Sequence, residues 1–163
     1  MNQRAAKVIR TLKDRTQSLG VAESLTGGLI GATLTSVPGS SAVFLGGVTS
    51  YANRLKTDLL GIPADTLRQH TVVSEEVAIG MANGLQLKTH ADWVIAVTGV
   101  AGPDAQEGHA PGEVWICVVG PRTPSVPHTN HVRQFQFDGD RDAVRTQTVD
   151  AAFDMLLRLV SPV

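Results

Sequence analysis

Val21-Ala22-Glu23-Ser24-Leu25-Thr26-Gly27-Gly28-Leu29-Ile30 is the stretch that decides the fold. An apolar run ends in a cluster of hydroxyls, two glycines follow, and a second apolar run has helical character. That is how a strand hands its chain to a helix N-terminus. The first helical N–H groups have no partner inside the helix, and the helix dipole adds positive potential there. Two glycines let a ligand approach the backbone closely. A serine at this junction can cap the helix, bind an anion, or act as a nucleophile with an oxyanion hole beside it. Which of the three applies is the functional question.

The flanking sequence extends the pattern. Ala5, Val8, Ile9 and Leu12 recur at helical spacing, predicting an amphipathic helix over 3–18 that ends near Gly20. The strand is read at 20–24 and the next helix from Thr26 to Ser36, where Val37-Pro38-Gly39 stops it. Val43 to Tyr51 reads as a strand in which Gly46-Gly47 marks a bulge or a close approach. Ala52 to Leu60 reads as a helix closed by Gly61-Ile62-Pro63, and Pro63 opens a short helix to Arg68. Ser74-Glu75-Glu76-Val77 is a helix start, a capping serine with acids in the first turn, and that helix runs to Lys88.

Trp93 to Val97 is a near-continuous apolar run, as in a strand covered on both faces. Thr98 to Gly112 is a long loop. Val114 to Val119 is a strand, residues 121–130 with three prolines a turn, His131 to Phe137 an alternating strand, and 140–159 the last helix. Helices interleaved with strands predict one three-layer α/β/α domain over residues 1–163. The hairpin-like pair near 114–137 makes its central sheet mixed, though mostly parallel.

The bulk composition agrees. A chain of 163 residues builds one domain with a sizeable core. With 42% hydrophobic but only 4% aromatic residues, aliphatic side chains must fill that core. With a net charge of -1 the chain has no basic surplus to suggest nucleic acid. Cys117 is the only cysteine, which excludes an internal disulfide and fits a reducing cytoplasm. The charged N-terminal stretch lacks a signal-peptide core, and no apolar run reaches the ~18 residues of a membrane span.

Three candidate site segments fall at strand C-termini, the edge where α/β sheets bind ligands: Ser24 to Gly28, Tyr51, and Thr98 to Pro103. No histidine is an obvious partner for Ser24. His70 lies in a linker, His90 at a helix end and His109 in the long loop. His128 and His131 are spaced to hold a metal, but no carboxylate or cysteine cluster accompanies them, and a solvated pair is the simpler reading. Lys56, five residues after Tyr51, is the other possible base. Burial favours neutral lysine, which can take a serine proton, although spacing alone reads Lys56 as a solvated helix residue. Cys117 reads as a buried small hydrophobe. Arg141 and Arg145, one helical turn apart, can hold a phosphate or form helix-terminal ion pairs.

Together these residues are recognisable. The chain resembles the CinA C-terminal domain family, whose stand-alone members include nicotinamide mononucleotide deamidases of the PncC type. The resemblance rests on Ala22 to Gly28, Ser36 to Ser41 and Gly47 to Asn53. It continues through Lys56, Leu60-Gly61, His70, Val73 to Glu75, Thr98 to Pro103 and Gly139 to Arg141, and spans about residues 5–158.

The resemblance implies an α/β/α fold and a hydrolase that converts nicotinamide mononucleotide and water to nicotinate mononucleotide and ammonia, with no metal and no cofactor. It implies Ser24 as nucleophile, Lys56 as general base and Tyr51 beside them. Thr98 falls in the family's substrate-pocket motif, and Gly47 and Gly99 lie in motifs expected to meet substrate. It also implies a homo-oligomer with a small nucleotide as partner; its competence context suggests a nucleic-acid module as a third reading, which the net charge of -1 argues against, and the composition points to a cytoplasmic protein with no membrane partner. Helix-terminus physics adds an oxyanion role for N–H groups around Thr26, Gly27 and Gly28 and a phosphate contact at Arg145. Two departures stand out. Leu25 replaces the family's usual cysteine, and His109-Ala110-Pro111-Gly112 stands where a lysine-bearing segment normally lies. A non-catalytic nucleotide-binding paralogue is therefore the alternative expectation.

Overall fold

The computed structural model describes residues 2–122 and 129–160. In chain order the elements are α1 (Gln3–Asp14), β1 (Leu19–Glu23), α2 (Leu29–Thr35), a 3-10 turn (Ser40–Ala42), β2 (Phe44–Thr49), α3 (Asn53–Asp58), α4 (Ala64–His70) and α5 (Glu75–Thr89). β3 (Trp93–Gly99), β4 (Glu113–Val119), β5 (Asn130–Gln136) and α6 (Arg141–Val160) complete the chain. The sheet order is β2-β1-β3-β4-β5. β1 pairs in parallel with β2 and β3, while β4 runs antiparallel to both β3 and β5. Four of the five strands therefore point the same way, which is the mixed sheet expected.

Period-2 alternation sorts the core into two layers. Leu19 and Val21 of β1, Ile95 and Val97 of β3, and Val114, Ile116 and Val118 of β4 face α1, α2 and α6. Ala22, Val94, Ala96, Cys117 and Val119 face α5 and the segment around Leu60 and Ile62. The small residues on that second face let α5 pack closely. Gly84 of α5 lies so near the Leu60 carbonyl that any side chain there would collide with backbone.

Several boundaries differ from expectation for identifiable reasons. α1 stops at Asp14 because Thr16 takes a left-handed conformation and Gln17 N–H returns to Leu12 O, closing the helix in a Schellman turn. α2 begins at Leu29 rather than Thr26 because Gly27 and Gly28 both have positive φ, 62° and 100°. In α6, Ala151 and Leu159 are only partly buried, and the core face passes through Val144, Thr148, Ala152 and Leu156. Ser74 caps α5 as expected, its hydroxyl accepting Val77 N–H at 3.3 Å. His128 and most of the proline-containing 121–130 turn lie outside the described residues.

β2 resolves the two glycines. The ladder with β1 skips Leu45, a bulge, and Gly47 then sits where a Cβ would come within 2.5 Å of Val21 O. Gly47 is thus required by strand packing. The parallel trio β2-β1-β3 ends at one edge, and the chain leaving those strands carries Ser50-Tyr51, Ser24-Leu25 and Val100 to Pro103 to the same place.

Candidate active site

Successive residues leaving β1 point to opposite faces, and this separates Glu23 from Ser24. Glu23, 2% exposed, turns towards α2, where its carboxylate accepts N–H groups from Gly28 (3.1 Å), Ile30 (3.0 Å) and Gly31 (2.9 Å). The positive end of that helix is therefore neutralised internally. Glu23, not Ser24, caps it, and no anion is needed there.

Ser24 turns the other way, towards α3. Lys56 reaches it from that helix, with Nζ 3.1 Å from Ser24 Oγ and donating to Ser50 O at 2.8 Å. Lys56 is 1% exposed. Burial pushes its pKa down to about 8, while the charge of Glu107 pulls it back up. Once neutral, Nζ has a lone pair for the Ser24 proton and still has hydrogens for the Ser50 carbonyl. Lys56 is thus a buried amine with a lowered pKa rather than the solvated helix residue that spacing alone suggested.

The pair forms the floor of a cleft of about 320 Å³ whose lining includes Tyr51, Asn53, Val72, Thr98 to Gln106 and Arg141. Thr98 Oγ1 donates to Val72 O at 2.6 Å, tying the end of β3 to the segment before α5. Gly99 has no room for a side chain, since a Cβ would lie 2.5 Å from Glu113 O. Tyr51 is exposed at the mouth, and its hydroxyl accepts from Arg141 Nη2 at 2.6 Å rather than meeting Ser24 or Lys56. Arg141 also donates to Gly102 O at 2.8 Å.

Of the residues expected to meet substrate, Ser24, Lys56, Tyr51, Thr98 and Gly99 line the cleft; Thr26, Gly27, Gly28, Gly47 and Arg145 do not. Gly27 N–H is spent on Ser24 O at 3.0 Å and Gly28 N–H on Glu23, so neither is free for an oxyanion. Among the described residues, Leu25 and Thr26 are the positions just after the serine whose N–H groups have no hydrogen-bond partner. Arg145 is anchored to Thr26 O (2.9 Å) and Asp142 (3.3 Å); Arg141 is the guanidinium that faces the cleft. The buried hydroxyls of Thr26 and Ser50 have no partner.

Glu23, Ser50 and Glu107 are the residues that sequence reasoning passed over, while Arg141 is one of the two arginines read as able to hold a phosphate. An acid immediately before a hydroxyl-glycine helix start was the available signal for Glu23. Among the described residues, no three His, Cys, Asp or Glu side chains gather as a metal-binding group. Cys117 is fully buried with its thiol pKa pushed up to about 12 by burial, and it is inert packing.

Fold and site together define a three-layer α/β protein with a buried serine–lysine pair at the carboxyl edge of its sheet. The chain belongs to the CinA C-terminal domain family, whose model matches residues 1–160. It is 46% identical over 159 residues to a CinA-like protein of Synechococcus sp. (strain CC9902), covering 96% of this chain and 37% of that protein. It is 43% identical over 144 residues to a putative competence-damage inducible protein of Desulforamulus reducens, covering 88% of this chain and 34% of the relative. The chain thus spans little more than a third of these relatives. Among solved structures, competence damage-inducible protein A of Klebsiella pneumoniae superposes with a TM-score of 0.90 at 31% identity, covering 96% of this chain and 94% of that one. The competence/damage inducible protein CihA of Agrobacterium tumefaciens gives 0.90 at 32% identity, covering 98% and 94%. No helix among the described residues is long and apolar enough to cross a membrane.

Proposed function

We propose that this chain is a metal-independent amidohydrolase that converts nicotinamide mononucleotide and water to nicotinate mononucleotide and ammonia through a Ser24 acyl-enzyme. The observation that carries the reading is the 3.1 Å contact between Ser24 Oγ and a fully buried Lys56 Nζ whose pKa is pushed down to about 8.

In this mechanism neutral Lys56 takes the Ser24 proton as Oγ attacks the carboxamide carbon. The carbonyl oxygen becomes an oxyanion, and the unspent N–H groups of Leu25 and Thr26 are the donors nearest in sequence to stabilise it. The tetrahedral intermediate collapses, the C–N bond breaks, and protonated Lys56 returns its proton to the departing ammonia. Lys56, neutral again, takes a proton from water as the hydroxide attacks the ester, and Ser24 leaves reprotonated. Arg141 is the cation that the substrate phosphate meets at the cleft mouth.

The test is ammonia release from nicotinamide mononucleotide by wild type, Ser24→Ala and Lys56→Met. Turnover in wild type and loss in both folded variants is the expected result; full activity in Ser24→Ala sinks the acyl-enzyme. A non-catalytic nucleotide-binding paralogue is the second reading, favoured by the 104–112 loop, in which His109-Ala110-Pro111-Gly112 stands in place of the lysine-bearing segment. Saturable nucleotide binding without turnover selects it.

A further inference from the structure

The 104–112 loop is latched onto the site at two points. Glu107 accepts the Val72 N–H through Oε2 at 3.2 Å and the Asn53 side-chain amide through Oε1 at 3.4 Å. His109 Nε2 lies 2.7 Å from Thr71 Oγ1, and its Nδ1 lies 3.0 Å from Glu113 Oε1, which Gln134 also holds at 3.0 Å. A Gln106–His109 turn joins the two arms. Asn53 opens α3, the helix that presents Lys56, and Val72 lines the cleft. One carboxylate therefore bridges the loop, the segment before α5 and the base-bearing helix.

We propose that Glu107 is a positioning residue for the base: its carboxylate clamps the 104–112 loop to the N-terminus of α3, the helix that presents Lys56, and to the segment before α5. This rests on the reading of Lys56 as the base. The other ionisable groups around the lysine are Asp104 and Arg141 on the cleft lining, Tyr51 at its mouth, and Arg54 and Asp58 on its own helix. Glu23 is turned away into α2. Glu107 is the group whose charge acts on Lys56, opposing the effect of burial.

The two consequences of the clamp carry opposite signs, which makes it testable. Removing the charge while keeping the shape, in Glu107→Gln, lets Lys56 lose its proton more easily. Loosening the loop through its other arm, in His109→Ala, admits water, lessens desolvation and makes Lys56 harder to deprotonate.

The experiment is a pH titration of Lys56 by the NMR signals of its side chain, in wild type and both variants. It is run beside kcat/KM for nicotinamide mononucleotide from pH 6 to 10. The expected result is a Lys56 midpoint that moves down in Glu107→Gln and up in His109→Ala. The acidic limb of kcat/KM should follow, with about a twofold or larger gain in kcat/KM at pH 7 for Glu107→Gln. An unchanged midpoint in folded Glu107→Gln, or one that moves up as in His109→Ala, overturns the proposal, since the Glu107 carboxylate then does not act on the base. The NMR titration decides this even if wild type turns over no substrate, so failure of the proposed function and failure of this inference are read separately.

Discussion

Replacing Lys56 by Met should remove the candidate base yet leave a fold that is relatively more stable at neutral pH than at alkaline pH. The reason lies in its burial. Lys56 is 1% exposed, and its pKa falls from 10.5 to about 8 on folding. A lowered lysine pKa means that the unfolded chain binds more protons between these two values, so wild-type stability rises with pH across that window. Below about 8 the full penalty of keeping a buried ammonium is present; by about 10.5 it has been relieved.

A shift of that size corresponds to about 3 kcal/mol, and the part lying between pH 7 and pH 10 to about 2 to 3 kcal/mol. Lys56→Met lacks the titration. It loses the donors to Ser24 Oγ and Ser50 O, a cost of about 1–3 kcal/mol that does not depend on pH. The wild-type-minus-variant difference in unfolding free energy should therefore grow by about 2 to 3 kcal/mol from pH 7 to pH 10. In urea that is a relative midpoint shift of roughly 1 M. Urea unfolding of both proteins at pH 7, 8, 9 and 10 measures it. A difference that stays constant over this range refutes the argument, because Lys56 would then titrate alike in the folded and unfolded chain.

Three other outcomes follow from the same geometry. The kcat/KM for nicotinamide mononucleotide should rise about tenfold per pH unit below 8 and level off above it, because only neutral Lys56 accepts the Ser24 proton; a flat profile from pH 6 to 9 in a stopped or coupled ammonia assay contradicts this. Glu23→Gln should cost about 2–3 kcal/mol in chemical denaturation, since an amide replaces a carboxylate that accepts three helix N–H groups; a change within about 0.5 kcal/mol would show that the cap contributes little. Gly47→Ala should destabilise by about 1–3 kcal/mol or more, because its Cβ would sit 2.5 Å from the Val21 carbonyl; a thermal midpoint equal to wild type would contradict the close β1–β2 approach.

Much was legible from local pattern. The strand, glycine and helix sequence at 21–30, the Ser74 cap and the apolar run from Trp93 each express a local preference that tertiary packing did not override. The carboxyl-edge rule was enough to expect the segments after β1, β2 and β3 to meet, because it follows from parallel strands. Boundaries were less legible where one residue's φ decides them, as at Thr16 and Gly27-Gly28. The pair Gly46-Gly47 signals a bulge or a close approach, and β2 has both, whereas the motif around Gly47 also suggests a substrate contact that only the position of Val21 rules out.

The chain's own pattern of apolar periodicity and glycine placement determined the layers, the mixed sheet and the edge at which chemistry can occur. Tertiary structure alone decided which polar groups share that edge. Whether Lys56 is a solvated cation or a buried amine depends on what covers α3, and besides nearby Ser50 that cover comes from Ser24 and the 104–112 loop, far away in sequence. Whether Ser24 caps a helix depends on whether its neighbour does so first, and Glu23 does. Arg141 rather than Arg145 faces the cleft because the register of α6 turns one arginine to Gly102 and Tyr51 and the other to Thr26. Secondary structure responds to neighbours within a few residues, whereas desolvation and hydrogen-bond partnership are set by groups the fold brings together, and no local pattern encodes them.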